Sequence, residues 1–576
     1  MRAAKVIYLF DISILIILLY ALNFKFCLPL IYYLCIAILS LLTIFVFLRH
    51  ESIGLLCVHV HLIYLILLRS SIYFMYYSFN IIPYGDAYWD YAVVSYFNFF
   101  NNIEAIRVSE VMPSFNLTWM SGWPAIHIVA LVIYKITNME LIKIAIIIPL
   151  IFSIIIYLSC YLIFIFIFKN KDKGSHGLVL ALIVIVTSPE VIFWYMQFKY
   201  QTIAIVFSIL LFYVLIRYIY NFQPMQTRIV FILFIIALVM SHHIVSAVFV
   251  VYLALLFIFF AIGKEKISYA LVALGMSFIF VWWSAYGMVI WPTIGSVIER
   301  LVLLASNIRD LEYLSGLSPF YPSSITPFWG ILLLKARDFL MYVPAVLGFI
   351  IIVFVYPNDK TKKFYLVSSV IFAFIFLFNL VAIKIEPFRI VTYAMPFVAI
   401  ATSFMYIYLN NRYRIFAALT ALSVTIFIAS SFLGFGSHNY VSLHFYDPKI
   451  NHFEIGEHNP NYLAMYDFIK NKNPQSNARY IVSDDFPVLY LLFEPNQYSK
   501  YRLLKYESDV YNMGADTLCV IMRDFNFYSY AGSAAHTYYE KNIATEDHFS
   551  DLRKHAKYKI SEKSKIYIDG FAKLYI

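Results

Sequence analysis

Two carboxylates four residues apart, Asp86 and Asp90 in Pro83-Tyr84-Gly85-Asp86-Ala87-Tyr88-Trp89-Asp90-Tyr91, directly follow an apolar run and open the first long polar interruption of the chain. A carboxylate at a membrane surface can take a proton from a hydroxyl or orient a partner group. Gly85-Asp86 can also simply begin an interfacial helix, with the acid as its cap. Other ionisable groups fall beside apolar runs on the same side: Glu104, Arg107, Glu110, Lys199, His242, His243, Lys384, Glu386 and Arg389. Arg389, in Glu386-Pro387-Phe388-Arg389, opens a run, where a guanidinium suits a phosphate oxyanion or snorkels to lipid headgroups. Lys199, in Gln197-Phe198-Lys199-Tyr200-Gln201, has the same two uses. Ser241-His242-His243 marks the tip of a hairpin whose first arm, about residues 228–241, is too short to cross a bilayer alone. The histidines are therefore expected below the outer surface; the other reading is a turn capped by Ser241 at headgroup level.

Composition says what must position these groups. Of 576 residues, 62% are hydrophobic and 13% charged, with mean hydropathy +0.77. No soluble globular surface tolerates that balance. Most apolar runs reach the length needed to cross about 30 Å of hydrocarbon as helix, and lipid leaves such runs no other way to satisfy their backbone. The net charge of +10 follows from cytoplasmic Lys and Arg, so it is not a nucleic-acid signal. Five scattered cysteines, Cys27, Cys35, Cys57, Cys160 and Cys519, have no paired spacing for disulfides or zinc. No small-residue cleavage site follows the first apolar run, which is expected as a retained span.

Spans are expected at about 6–24, 28–48 and 53–76, which puts Arg49 inside and Asp86 outside. The segment from Trp123-Pro124 to Lys135 has the hydropathy of a span. Counted as one, it sends Lys169, Lys171 and Lys173 outside; read as a short interfacial helix, it keeps the charge bias. Further spans follow at about 141–168, 176–195, 202–221, 228–241, 244–262, 267–292, 338–356, 364–383, 390–408 and 414–434. External loops fall at 77–140 and 293–337, and Asn116-Leu117-Thr118 in the first fits a glycosylation sequon. The expectation is an all-α polytopic membrane domain over 1–436 with about thirteen transmembrane helices, and a soluble extracytoplasmic α/β or α+β domain over 437–576. In that tail Asn461 to Lys470 patterns as helix, and 479–482, 517–522 and 565–568 as strands. Asp484 and Asp485 end the first strand, where a ligand site or a helix cap are the two readings.

The order of these features resembles the GT-C superfamily of integral membrane glycosyltransferases. It runs from Gly85-Asp86 after an early span, through the Pro-led helix at Trp123-Pro124, the basic loop Lys169 to Lys173 and Ala181 to Pro189. It continues with the hairpin at Ser241-His242-His243, Pro327-Phe328-Trp329, and Phe388-Arg389 to Pro396. Two spans precede the one leading into the acidic loop, whereas many members have none. Trp282-Trp283-Ser284-Ala285-Tyr286-Gly287 is similar to the Trp-Trp-Asp-Tyr-Gly motif of oligosaccharyltransferases, but it lies within a span and has Ser284 where the acid belongs. Where those enzymes carry a metal-binding acidic pair, this chain has Lys199-Tyr200-Gln201-Thr202. That departure argues against an oligosaccharyltransferase and against a metal-dependent site generally, so the expectation is a transferase with no cofactor and no metal.

The implied reaction is inverting sugar transfer on the extracytoplasmic face, from a polyprenyl (dolichyl) phosphate donor to a glycan, lipid or protein acceptor. Its implied base is Asp86, with Asp90 second or orienting, and Arg389, Lys199, His242 and His243 hold the donor phosphate. Membrane lipids surround it and nucleic acid is no partner. A polymerase or ligase using a diphosphate-linked lipid is the nearest alternative. A transporter is expected to carry mid-span charges and internal repeats, whereas here the charges noted gather at the outer edge and no repeat is seen. A non-catalytic scaffold or receptor is the remaining reading.

Overall fold

The computed structural model describes residues 2–21, 53–76, 122–168, 174–188, 197–219, 224–262, 269–286, 328–355, 360–378 and 387–412, short pieces between 35 and 47 and between 90 and 98, residues 291 and 295, and five strands between 480 and 575. The apolar runs form helices where their lengths predict them. These are α1 (Arg2–Ala21), α2 (Leu55–Tyr76), α3 (Ala125–Thr137), α4 (Leu141–Phe168), α5 (Gly174–Thr187), α6 (Tyr200–Ile219), α7 (Pro224–Ser241), α8 (His243–Ile262), α9 (Tyr269–Ala285), α10 (Phe328–Val355), α11 (Lys360–Phe378) and α12 (Pro387–Arg412). Among the described residues, four helices are long and apolar enough to cross a membrane by length and composition: Leu141–Phe168, Tyr200–Ile219, His243–Ile262 and Thr392–Leu409. Parts of the expected spans, including all of 414–434, lie outside the described residues.

Two helix lengths bear on the topology. α3 has 13 residues, too few to cross a bilayer, and it stops where Asn138 turns left-handed at φ 54° and returns its N–H to Tyr134. The first arm of the histidine hairpin is longer than expected: α7 has 18 residues beginning at Pro224, about 27 Å of helix. Proline fits a first helical position, where its missing N–H is not needed. That start is what the sequence reading cut short.

Between apolar helices in lipid, close approach and polar contacts replace the hydrophobic drive. α10 lies so close to α12 that a Cβ on Gly348 falls 1.8 Å from the Ala401 carbonyl oxygen. α8 and α11 meet through Tyr252 Oη and Ser368 Oγ at 2.8 Å, and the Tyr365 hydroxyl donates to the Phe397 carbonyl at 2.9 Å, joining α11 to α12. Phe212 of α6 stands among Phe249, Tyr252, Phe372 and Phe397. The tail holds a mixed five-stranded sheet: β1 (Tyr480–Ser483), β2 (Arg502–Lys505), β3 (Thr517–Arg523), β4 (Lys565–Ile568) and β5 (Ala572–Tyr575), in the order β2-β1-β3-β5-β4. β1 runs parallel to β2 and β3; β5 is antiparallel to β3 and β4. The expected helix at 461–470 and the pair Asp484 and Asp485 lie outside the described residues.

Ionisable groups are not confined to the outer edge, as the sequence reading had them. Asp11, within α1, is buried, and both its oxygens lie 3.0 Å from Nδ1 of buried His61 on α2. His61 Nε2 lies 3.2 Å from Thr43 Oγ1, whose own hydrogen goes to the Leu39 carbonyl at 2.7 Å. The hydrogens can be counted. With its hydroxyl donated to Leu39, Thr43 accepts from Nε2–H, so the edge between Nδ1 and Asp11 holds one proton and the pair is neutral overall. A net charge there would be costly in hydrocarbon.

Neutrality fixes the pattern of substitutions. Asp11→Leu or His61→Leu alone leaves a buried polar partner stranded and is expected to cost about 3–5 kcal/mol. Asp11→Asn, whose amide can donate to Nδ1, and the double Asp11→Leu/His61→Leu change should stay close to wild type. Tm in detergent checks this; a severe loss in Asp11→Asn would contradict the hydrogen count.

Candidate functional site

A second buried carboxylate–imidazole pair joins the short helical stretch at Asp90, between α2 and α3 in the chain, to α3. Asp90 and His127 are both 0% exposed, with His127 Nε2 2.7 Å from Asp90 Oδ1. His127 belongs to the buried face of α3 with Ile126 and Ala130, the face that packs against α4, α6 and α7. The imidazole is also held edge-on by Phe97, ring centres 5.7 Å apart. Among the described residues, Asp90 Oδ2 and His127 Nδ1 are buried without a hydrogen-bond partner.

Lys199 and Tyr200 bring the start of α6 to the same acid. Burial pushes the Asp90 carboxyl above the ordinary carboxylate range; the hydrogen bond from His127, the Lys199 ammonium and the Tyr200 backbone N–H pull it back. The turn that presents them is tied by Thr202, whose hydroxyl donates to the Gln197 carbonyl at 2.8 Å and whose N–H donates to the Lys199 carbonyl at 2.9 Å.

From Tyr200 a column of rings runs to α3. Tyr200 stacks on His242 at 4.7 Å, His242 on His243 at 4.6 Å, and His243 meets Trp123 at 5.1 Å. The preceding Gly122 carbonyl accepts the Trp282 indole N–H at 3.0 Å, which fixes the loop to α9. This is the contact made by the Trp282-Trp283 segment that sequence comparison set aside. His242 itself caps α8: its Nδ1 accepts the N–H groups of Ile244 and Val245 at 3.1 and 3.3 Å. Ser241, the expected cap, instead donates backward to the Ala237 carbonyl at 2.5 Å. A capping nitrogen cannot carry hydrogen, so the His242 proton resides on Nε2.

Four of the six sequence-predicted site residues are thus linked through Tyr200: Asp90 meets Lys199 and the Tyr200 backbone N–H, and the Tyr200 ring leads to His242 and then His243. Asp86 lies outside the described residues. Arg389 sits in the first turn of α12, four residues before Tyr393, whose hydroxyl accepts from Gln201 Nε2 at 3.2 Å; the start of α12 therefore meets the start of α6. Sequence reasoning missed His127, Tyr200 and Trp123. The signal for His127 was available: it and Lys135 are the only ionisable groups in a helix that is otherwise apolar apart from Tyr134 and Thr137.

No family model matches the chain, and no curated protein matches it. Solved structures do. The Archaeoglobus fulgidus oligosaccharyltransferase, a GT-C enzyme, tethered by a disulfide to an acceptor peptide with the NVT sequon, is 11% identical at a TM-score of 0.47, covering 90% of this chain and 74% of that one. The same organism's oligosaccharyltransferase with an inhibitory peptide and a dolichol-phosphate is 13% identical at 0.42, covering 75% of this chain and 63% of that one. Its complex with Zn and sulfate is 12% identical at 0.44, covering 85% and 69%.

The capping geometry separates two kinds of substitution at His242. His242→Asn places an oxygen where Nδ1 accepts and should hold Tm near wild type, whereas His242→Ala loses the cap at a cost of about 0.5–2 kcal/mol. Thermal unfolding of the two purified variants checks it.

Proposed function

We propose that the chain is a membrane glycosyltransferase that moves a sugar from a polyprenyl (dolichyl) phosphate donor to an acceptor hydroxyl on the extracytoplasmic face, with inversion. One observation carries the reading: a buried carboxylate with an unpartnered oxygen, Asp90 Oδ2, beside a lysine and two histidines at the ends of separate helices. A buried acceptor without a donor is expensive, and proteins keep one where a ligand supplies the missing hydrogen. A substrate hydroxyl supplies it here. The order of motifs from Gly85-Asp86 to Pro396 supports the same class independently.

The chemistry needs little. A phosphomonoester is a good leaving group at neutral pH, so no general acid is required, and one carboxylate to deprotonate the acceptor plus cations for the phosphate suffice. Asp90 takes the role of base, because Oδ2 is open to an acceptor hydroxyl and burial makes the carboxyl more basic than an ordinary one. Asp86, four residues earlier, is the second carboxylate. Lys199 and Arg389 hold the phosphate, with His242 and His243 beside them. The membrane domain over 1–436 carries the site, the N-terminus lies in the cytoplasm, and the domain over 437–576 stands outside and bounds the acceptor.

Membranes containing the chain are expected to transfer label from at least one of polyprenyl-phosphate mannose, glucose, galactose or arabinose. Asp90→Asn should lower that transfer by about a hundredfold or more with expression intact. Only the deprotonated carboxyl takes a proton, so kcat/KM should fall as pH is lowered, with a midpoint above that of an ordinary carboxylate. Transfer unaffected by Asp90→Asn would return the role to Asp86; transfer from no monophosphate donor would defeat the reading.

A further inference from the structure

We infer that His127 is a positioning residue: by holding Oδ1 of Asp90 through Nε2–H, it leaves Oδ2 as the oxygen that takes the acceptor's proton. The inference rests on the transferase reading just given.

The two oxygens of Asp90 are not equivalent. Oδ1 lies 2.7 Å from His127 Nε2, while Oδ2 is equally buried and has no hydrogen-bond partner among the described residues. A carboxylate whose oxygens were both free would rotate about its Cβ–Cγ bond and present either one. Here the imidazole fixes the plane, and Phe97 fixes the imidazole. The tautomer follows from the far side of the ring. Nδ1 is buried without a partner, and a hydrogen there would be a stranded donor on a cation, whereas a bare lone pair costs less. His127 is thus a neutral imidazole with its hydrogen on Nε2. It contributes a directed hydrogen bond to Asp90, and the compensating positive charge comes from Lys199.

In the transfer step the acceptor O–H bond breaks and its proton passes to Oδ2. The acceptor oxygen forms the new bond to the anomeric carbon as the bond from that carbon to the phosphate oxygen breaks. Polyprenyl phosphate leaves with the electron pair, and the proton on Oδ2 passes to water when the product departs. His127 keeps its hydrogen throughout. Its loss would therefore act on Asp90 in two ways: the carboxylate loses its orientation, and the interaction that favours its ionised form disappears.

Two amides of one chemistry test this. His127→Gln places an N–H near the position of Nε2 and should keep the contact; His127→Asn reaches only to the position of Nδ1 and should lose it. In the full-length protein, His127→Asn is expected to lower kcat by about ten- to a hundredfold with KM little changed, and to move the acid limb of kcat/KM to higher pH. His127→Gln should recover most of the rate and the wild-type limb. Infrared difference titration, with the Asp90 carboxyl band assigned through Asp90→Asn, gives the same order without activity: the protonated band should persist to higher pH in His127→Asn than in wild type or His127→Gln. Equal limbs and equal titrations in the two amides, with transfer intact, would overturn the positioning role and leave the transferase reading standing. Absence of transfer in the wild type would defeat that reading, while the infrared titration would still decide whether His127 sets Asp90.

Discussion

A carboxylate withdrawn from water must be neutralised, paired or hydrogen-bonded, because burial penalises an isolated charge far more than any single contact repays. The two buried acids among the described residues, Asp11 and Asp90, both meet that constraint with a histidine. Each pair joins segments far apart in sequence, α1 with α2 in one case and the Asp90 segment with α3 in the other. Their difference is informative. At Asp11 both oxygens face His61 Nδ1, and the opposite nitrogen is satisfied by Thr43. At Asp90 one oxygen and one nitrogen are left over. A closed network such as that at Asp11 holds helices together.

What holds the open pair in place is mostly aromatic. Tyr200, His242, His243 and Trp123 stack across the gap between α6, the α7–α8 turn and the loop before α3. Flat rings in contact have few rotamers to lose, so the column fixes the spacing of the three segments at a small entropic cost. His242 takes part both in the column and in the cap of α8, and the cap sets its tautomer. A tautomer set by the backbone does not depend on the substrate, which is the sense in which such a site is preorganised.

Helix positions were largely legible in the sequence because lipid leaves an apolar run one way to satisfy its backbone. Leu141–Phe168 and His243–Ile262 fall almost where hydropathy puts them. α7 was cut short because Met225-Gln226-Thr227-Arg228 interrupts the apolar run without interrupting the helix. Residue type and position beside apolar runs singled out Asp90, Lys199, His242 and His243, which the structure joins through Tyr200. The wiring of the site was not legible. Asp11 and His61 are each ordinary in a linear reading, and their pairing depends on helix rotation, which uniformly apolar helices do not encode as a stripe. His127 was passed over because α3 was weighed only as a question of topology.

The N-terminal helices acquire a purpose from α2. That helix carries two histidines, His59 and His61, two residues apart and therefore about 200° apart around its axis. His61 faces Asp11 of α1, while His59 Nδ1 lies 2.6 Å from the Tyr157 hydroxyl of α4 and its ring packs edge-on to Tyr161 at 4.3 Å. α2 is thus held by polar contacts on opposite sides, from α1 and Thr43 on one and from the α4 core on the other. Apolar helices in lipid slide and rotate at little cost unless specific contacts prevent it. α1 and Thr43 therefore hold α2, the helix that precedes the Asp90 segment in the chain.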